Sequence, residues 1–257
     1  MVDSGWALAI LCIVAFVAGW VDAVSGGGGL LQVPALLIAV PADSPTSALG
    51  TNKLSSIGGT FSAAVTYARR EAPDLRTALP MAATAFVGAG VGALIALRLP
   101  VEVLRPFIVI ALALVWFLIA FRSRWAGERV VAVSDRKRWG TAIIGGGVIG
   151  VYDGMLGPGT GAFLIVLLVA ALGYSYLRAS ATAKFVNVGT NAAALIVFGL
   201  GGSVLWLVGV VMGACNVAGG IVGARTALAR GSGFVRIVLL VVVAVLLVTL
   251  SVDLLVR

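Results

Sequence analysis

Long apolar segments fill almost the whole chain, and two short charged stretches interrupt them. The stretch Arg69–Arg76 holds five charged residues, and the stretch Arg122–Trp139 holds eight. Of the 257 residues, 61% are hydrophobic and 11% are charged, whereas a soluble domain is roughly a quarter charged. So few charges cannot cover the surface of a soluble protein of this size. The sequence therefore predicts an all-α integral membrane protein, a polytopic helical bundle of eight to ten membrane segments.

The composition also restricts the chemistry that the chain can perform. It contains no histidine, which excludes His-ligated zinc or haem and a Ser-His-Asp apparatus. We therefore expect no cofactor, no metal and no enzymatic activity. The net charge of +8 needs no nucleic acid partner, because Lys and Arg commonly flank membrane spans on the cytoplasmic side.

An internal repeat divides the chain into two halves. The run Gly19–Asp22 resembles the run Gly150–Asp153, at an offset of 131 positions. The same offset relates Gly26 to Gly157, Thr51 to Thr182, Lys53 to Lys184, Gly88 to Gly219 and Gly92 to Gly223. One offset aligns the two halves with no gap. The matches predict a first transmembrane repeat over 1–121, a basic cytoplasmic linker over 122–139 and a second transmembrane repeat over 140–257.

Each half contains five apolar segments, of which the second is short. The predicted segments are 5–23, 30–41, 47–68, 77–98, 103–121, 140–155, 161–173, 177–200, 204–225 and 234–256. A membrane span needs about 20 residues, so 30–41 and 161–173 are too short, and each follows a Gly-rich break. Short interrupted segments in matching positions of two halves indicate a transporter binding site.

Charge distribution and segment length favour different topologies. If the short segments cross the membrane, the repeats are inverted, with thirteen basic residues inside and three outside. If they do not cross, the repeats are parallel, with ten inside and six outside. The positive-inside rule favours the inverted version, whereas segment length favours the parallel one. A thin or broken second helix reconciles them, so we expect inverted repeats.

Four ionisable residues lie inside apolar segments, namely Asp22, Lys53, Asp153 and Lys184. They form two repeat-related Asp/Lys sets, each 31 residues apart in sequence. A charge inside the bilayer is costly, which makes such residues candidates for a functional site. The alternative is that each Asp pairs with a Lys and only locks the bundle.

The surroundings of these charges favour an anion as the ligand. A helix that begins after a glycine break offers N–H groups and a positive dipole end. Two such helix starts, near 29–31 and 161–163, would face each other in an inverted repeat, with two lysines nearby. The predicted substrate-binding residues are Gly28, Gly29, Asn52, Lys53, Gly159, Thr160, Gly161, Lys184 and Asn187. Asp22 and Asp153 are predicted to serve in ion pairing or proton coupling.

At these positions the sequence resembles the sulfite exporter TauE/SafE-type family of membrane permeases. The first half carries the resemblance in the run Gly19–Gly29, Pro34 and the run Ala48–Lys53. The second half carries it in Tyr152-Asp153-Gly154, Gly157-Pro158-Gly159-Thr160-Gly161, Ala183-Lys184 and Asn187. The resemblance implies a bacterial inner-membrane, multi-pass permease that moves sulfur-containing or organic anions, often outward.

We therefore expect a secondary transporter of a small anion, such as sulfite or a sulfonate, that works by alternating access at a midplane site. The alternatives are an anion channel and, less favoured, a membrane-embedded enzyme. The expected partners are the small anionic substrate, the lipid bilayer and a coupling proton or cation. A homodimer is compatible with this organisation.

Overall fold

The described part of the chain is helical, and it fits the predicted all-α membrane class. The computed structural model describes residues 5–39, 45–98 and 133–256, and no strand occurs among them. The first half contributes helices α1 (Gly5–Ser25), α2 (Gly29–Ala39), α3 (Pro45–Ala68) and α4 (Leu75–Ala96). The predicted segment 103–121 and the linker residues 122–132 lie outside the described residues.

The second half follows a similar order of elements. It contains α5 (Asp135–Gly140), a π-helical turn (Thr141–Gly145), α6 (Gly146–Met155), α7 (Thr160–Leu172), α8 (Tyr176–Leu200) and α9 (Trp206–Val256). Helix α9 joins the two segments predicted at 204–225 and 234–256. A kink at Gly231, with a φ of 77°, separates them. The π-helical turn connects α5 directly to α6, so the end of the predicted linker is helical.

Four described helices are long and apolar enough to cross a membrane. They cover Trp6–Ser25, Leu75–Ala96, Tyr176–Leu200 and Trp206–Val245. Helices α2 and α7 have only 11 and 13 residues. At 1.5 Å per residue they reach about 17 and 20 Å, short of the roughly 30 Å hydrocarbon core. Each of the two short helices therefore ends or begins within the depth of the bundle.

Glycine faces allow the first helix of each half to pack closely on the fourth helix of the other half. On α4, a Cβ at Gly92 would lie 2.1 Å from the Val151 carbonyl oxygen of α6. On α9, a Cβ at Gly219 would lie 2.0 Å from the Phe16 carbonyl oxygen of α1. These backbones approach so closely because the glycines lack side chains and leave room for the backbone of the other helix. The glycines of α4 and α9 thus form close packing faces, except for Gly90, where an added Cβ would have no neighbouring atom within 4 Å.

Helices α3 and α8 lie at the centre and run antiparallel. Near the start of α3, the Thr51 hydroxyl accepts a hydrogen bond from the Leu205 N–H, 2.9 Å away, in the loop after α8. Beyond the end of α3, the Asp74 N–H donates to the Thr182 hydroxyl near the start of α8, at 3.4 Å. Each end of α3 therefore lies beside the opposite end of α8. This direction agrees with the inverted topology, while the repeat itself stays a prediction from sequence.

A polar cluster joins the loops at the end that contains Asp74. The Asp74 carboxylate accepts hydrogen bonds from the hydroxyls of Tyr174 and Thr77, and Arg178 lies 3.8 Å away. Burial would raise the pKa of Asp74, but these hydrogen bonds and the charges of Arg138 and Arg178 outweigh it and lower this pKa. The carboxylate is therefore ionised at neutral pH and ties loop 69–74 to the start of α8.

Candidate functional site

The four intramembrane charges form two ion pairs, and each pair joins the two halves. The Lys53 Nζ lies 2.9 Å from Asp153 Oδ1. The Lys184 Nζ lies 2.7 Å from Asp22 Oδ2. The ion-pair partners are therefore not the aspartate and lysine that lie 31 residues apart in each half. Each lysine, on α3 or α8, pairs with the aspartate of the other half.

These ion pairs are almost completely removed from solvent. The side chains of Lys53 and Lys184 are 2% and 0% exposed, and those of Asp153 and Asp22 are 5% and 18% exposed. A buried charge costs several kcal/mol unless a partner compensates it. The two pairs satisfy that requirement and leave the group of four charges with no net charge.

A small cavity of about 20 Å³ lies between the two pairs. Its lining consists of Asp22, Gly26, Gly29, Asn52, Lys53, Ser56, Thr60, Asp153, Gly157, Thr160, Gly161, Asn187 and Asn191. A cavity of this size has room for about one water molecule. The site is thus closed to an oxyanion in this conformation, and a conformational change must enlarge it before such a ligand enters.

Most of the predicted site residues line this cavity. Those that do are Asp22, Gly29, Asn52, Lys53, Asp153, Thr160, Gly161 and Asn187. The exceptions are Gly28, Gly159 and Lys184. Gly28 packs against the Ala18 carbonyl of α1, and Gly159 adopts a φ of 81° in the turn before α7. Lys184 contributes through its ion pair with Asp22.

Sequence reasoning did not select five lining residues as site residues, namely Gly26, Ser56, Thr60, Gly157 and Asn191. Helical periodicity identifies three of them. Ser56 and Thr60 follow Lys53 by three and seven positions, and Asn191 follows Lys184 by seven. Residues at these spacings share one face of a helix. Thr60 and Asn191 also meet across the centre, where Asn191 Nδ2 donates to Thr60 Oγ1 at 3.3 Å.

The glycine breaks of the two halves meet at the cavity. A Cβ at Gly26 would lie 2.2 Å from the Gly161 carbonyl carbon, and one at Gly29 would lie 3.5 Å from Pro158 Cα. The starts of α2 and α7 are therefore close together, as predicted. Not every N–H group there is free, however, since the Leu30 and Leu31 N–H groups donate to turn carbonyls of Gly27 and Gly28. The positive dipole ends remain directed into the site.

Two buried acceptor atoms in the cavity wall lack a hydrogen-bond partner. They are Asp153 Oδ2 and Asn187 Oδ1. The other oxygen of Asp153 is well occupied, since Thr160 Oγ1 donates to Oδ1 at 2.7 Å and Lys53 approaches the same atom. Buried polar atoms without partners are rare in folded proteins. This end of the cavity therefore offers unused acceptor capacity.

The fold and the site define a class of protein, a polytopic helical membrane protein with broken helices around a buried charged centre. Residues 11–250 match the family described as Sulfite exporter TauE/SafE, and the chain belongs to this family of membrane transporters.

Three curated bacterial relatives have similar lengths. The probable membrane transporter protein ORF9 of Sinorhizobium sp is 39% identical, over 96% of this chain and 93% of that relative. The probable membrane transporter protein YfcA of Escherichia coli is 38% identical, over 96% of this chain and 90% of that relative. A probable membrane transporter protein of Haemophilus influenzae is 37% identical, over 89% of this chain and 88% of that relative. No solved structure matches the chain significantly.

Proposed function

We propose that this protein is a secondary transporter in the bacterial inner membrane that moves a small sulfur-containing or organic anion out of the cell. The observation that carries the proposal is the pair of buried lysines near two helix starts. Lys53 lines the small cavity there, and Lys184 is paired with Asp22 in the cavity wall. Ammonium groups and positive helix ends together suit an oxyanion. The family's description as sulfite exporters and the bacterial relatives support the substrate class, the direction and the membrane.

Transport follows an alternating-access scheme in this proposal. The antiparallel direction of α3 and α8 supports an inverted repeat, in which the two halves exchange inward-open and outward-open conformations about one central site. The short helices α2 and α7 begin at this site, so tilting of either one opens a path from one side. The small volume of the cavity supports a carrier rather than an open channel.

Substitution of either lysine tests the anion site. Lys53→Ala or Lys184→Ala should lower anion flux into proteoliposomes by about 10- to 100-fold, because a charge-assisted hydrogen bond contributes about 1.5–3 kcal/mol. The panel of anions is sulfite, thiosulfate, taurine, sulfoacetate and plain carboxylates. Lys137→Ala, on the exposed side of α5, is the matched control and should transport normally.

A second variant separates loss of the site from loss of the fold. Lys53→Ala leaves Asp153 without its partner, which costs about 3–5 kcal/mol. The double variant Lys53→Met with Asp153→Asn removes both charges and should stay folded, as judged by gel filtration in detergent, yet still lack flux. Normal flux in both lysine variants would refute the anion site. High conductance without counter-transport would identify a channel, and chemical conversion of the anion would identify an enzyme.

A further inference from the structure

The two aspartates of the site differ in one respect that their repeat relation does not predict. Asp22 is the more exposed of the two, and its Oδ2 contacts Lys184 and, at 3.5 Å, the Thr60 hydroxyl. Asp153 likewise places both of its partners on one oxygen, Oδ1, but its other oxygen, Oδ2, is buried and has no hydrogen-bond partner. A carboxylate with one free, buried oxygen is the better prepared of the two to accept a proton there.

Charge balance links that free oxygen to anion binding. The two lysines and two aspartates together carry no net charge in the closed site. An anion that binds Lys53 displaces Asp153 from its partner and adds uncompensated negative charge to a region of low polarity. A proton on Asp153 Oδ2 restores the balance, because it neutralises the carboxylate while Lys53 keeps its charge. Anion and proton thus favour each other's binding, and this linkage is reciprocal.

The cavity that Asp153 lines contains a second acceptor atom without a hydrogen-bond partner. Asn187 Oδ1 lines the same cavity and is the second acceptor without a partner. A cavity of about 20 Å³ excludes an oxyanion but not a proton.

Few charged groups surround Asp153 in the part of the chain that the structure describes. Helix α3 brings Lys53, and the pair of Asp22 on α1 with Lys184 on α8 contributes no net charge. Helix α4 packs against α6 through Gly and Ala, and α7 carries no ionisable residue. Tyr152 precedes Asp153 and donates its hydroxyl to the Pro158 carbonyl at 2.6 Å. Among the described residues, Lys53 is thus the cation that directly opposes protonation.

We propose that Asp153 is the proton site of this transporter. A proton from solution binds Asp153 Oδ2, Lys53 is released to the anion, and the proton and anion cross the membrane in the same direction. This inference rests on the proposed anion transport. For a dianion, one proton leaves a net charge of −1 on the moving pair. An inside-negative potential drives that charge outward with about 2.3 kcal/mol per 100 mV, so proton co-transport is compatible with export.

The uptake or release of protons on anion binding tests the proposal on the unmodified protein. Thiosulfate and ethanesulfonate are suitable probes because both remain ionised between about pH 5 and 8. Purified protein in weak buffer should take up protons when either anion binds. The dissociation constant should fall by about tenfold per pH unit as the pH is lowered from 8 towards 6, as expected for one linked proton. Proton release, or binding that strengthens as pH rises, would overturn the proposal.

Two matched variants then locate the proton. Asp153→Asn imitates the protonated residue, so it should bind the anion with a dissociation constant independent of pH and without proton uptake. Asp22→Asn removes the partner of Lys184 and therefore changes the affinity for the anion, but its dissociation constant should depend on pH with the slope of the wild type. A preserved slope in Asp153→Asn would refute the assignment, and if that variant does not fold, the wild-type uptake still decides the sign.

The results also separate this inference from the proposed function. Anion binding that is independent of pH in the wild type leaves anion transport intact and overturns the proton linkage alone. Failure of both probes to bind at any pH overturns the proposed function and the linkage together. The anion site and the proton linkage are both supported if Lys53→Ala loses anion binding and Asp22→Asn keeps the pH dependence of the dissociation constant.

Discussion

At the scale of single residues, the site depends on glycines that no side chain can replace. Gly157 has a φ of +85°, and a Cβ there would lie 2.9 Å from Lys53 Nζ. The positive φ keeps the break before α7 short, and the missing side chain leaves room for the Lys53 ammonium beside Asp153. The glycine break therefore serves both the backbone turn and the ion pair.

Gly157→Ala tests this double role. The positive φ alone costs a non-glycine residue roughly 1–2 kcal/mol, and the new methyl group displaces Lys53 from Asp153. We expect a lower melting temperature in detergent and reduced anion flux. Gly147→Ala in α6 is the control, because a Cβ at this position would meet no atom within 4 Å and alanine favours helix by about 1 kcal/mol. Equal stability of the two variants would contradict the prediction.

At the scale of helices, the glycine faces determine which helices approach closely. The close packing of α1 on α9 and of α6 on α4 fixes the helices that carry Asp22 and Asp153, which pair with the lysines of α8 and α3. The same sequence pattern Gly88-x-Gly90-x-Gly92 contains contacting and free positions. A Cβ at Gly88 would lie 2.5 Å from the Gly147 carbonyl oxygen, whereas one at Gly90 meets nothing within 4 Å. The faces are thus specific to one side of α4.

A pair of substitutions on α4 measures this specificity. Gly92→Ala forces the α4 and α6 backbones apart and should destabilise the protein by about 1–3 kcal/mol, the usual cost of overpacking. Gly90→Ala should leave stability unchanged or slightly raised. Thermal unfolding in detergent, followed by circular dichroism, compares the two. A similar loss in Gly90→Ala would show that helix flexibility, rather than the contact with α6, causes the effect.

At the scale of the whole molecule, the loops arrange the bundle across the membrane. Loop 69–74 and the start of α8 lie at one end, and the loop after α8 lies beside the start of α3. The parallel version of the repeat would put loops 69–74 and 173–175 on opposite sides of the membrane. The contact between Asp74 and Tyr174 favours the inverted version, with both loops on the cytoplasmic side.

Cysteine labelling tests this topology in cells. In a background without Cys12 and Cys215, the substitutions Ala72→Cys and Ser175→Cys should react with a membrane-impermeant maleimide only from the cytoplasm. Leu200→Cys, at the other end of α8, should react from outside. All three positions are exposed, so lack of access does not explain a negative result. Labelling of Ala72→Cys and Ser175→Cys from opposite sides would refute the inverted topology.

Much of the fold and part of the site follow from local sequence patterns. The length of the apolar segments located the described helices other than α5, which lies in the predicted linker. Removal of backbone groups from water in a bilayer leaves few alternatives to a helix. The cost of a buried charge marked Asp22, Lys53, Asp153 and Lys184. Thr60 was missed as a site residue because a threonine in an apolar helix carries little signal unless its spacing from Lys53 is considered.

The sequence by itself determined that the chain is a helical membrane protein with two glycine breaks and four charges within apolar segments. Only the tertiary structure decided that Lys53 meets Asp153 and that Lys184 meets Asp22. It also decided that the cavity is closed and that Asp153 Oδ2 has no partner. The physical reason is that a helix pattern shows which face is buried, whereas an ion pair depends on which other helix packs against that face.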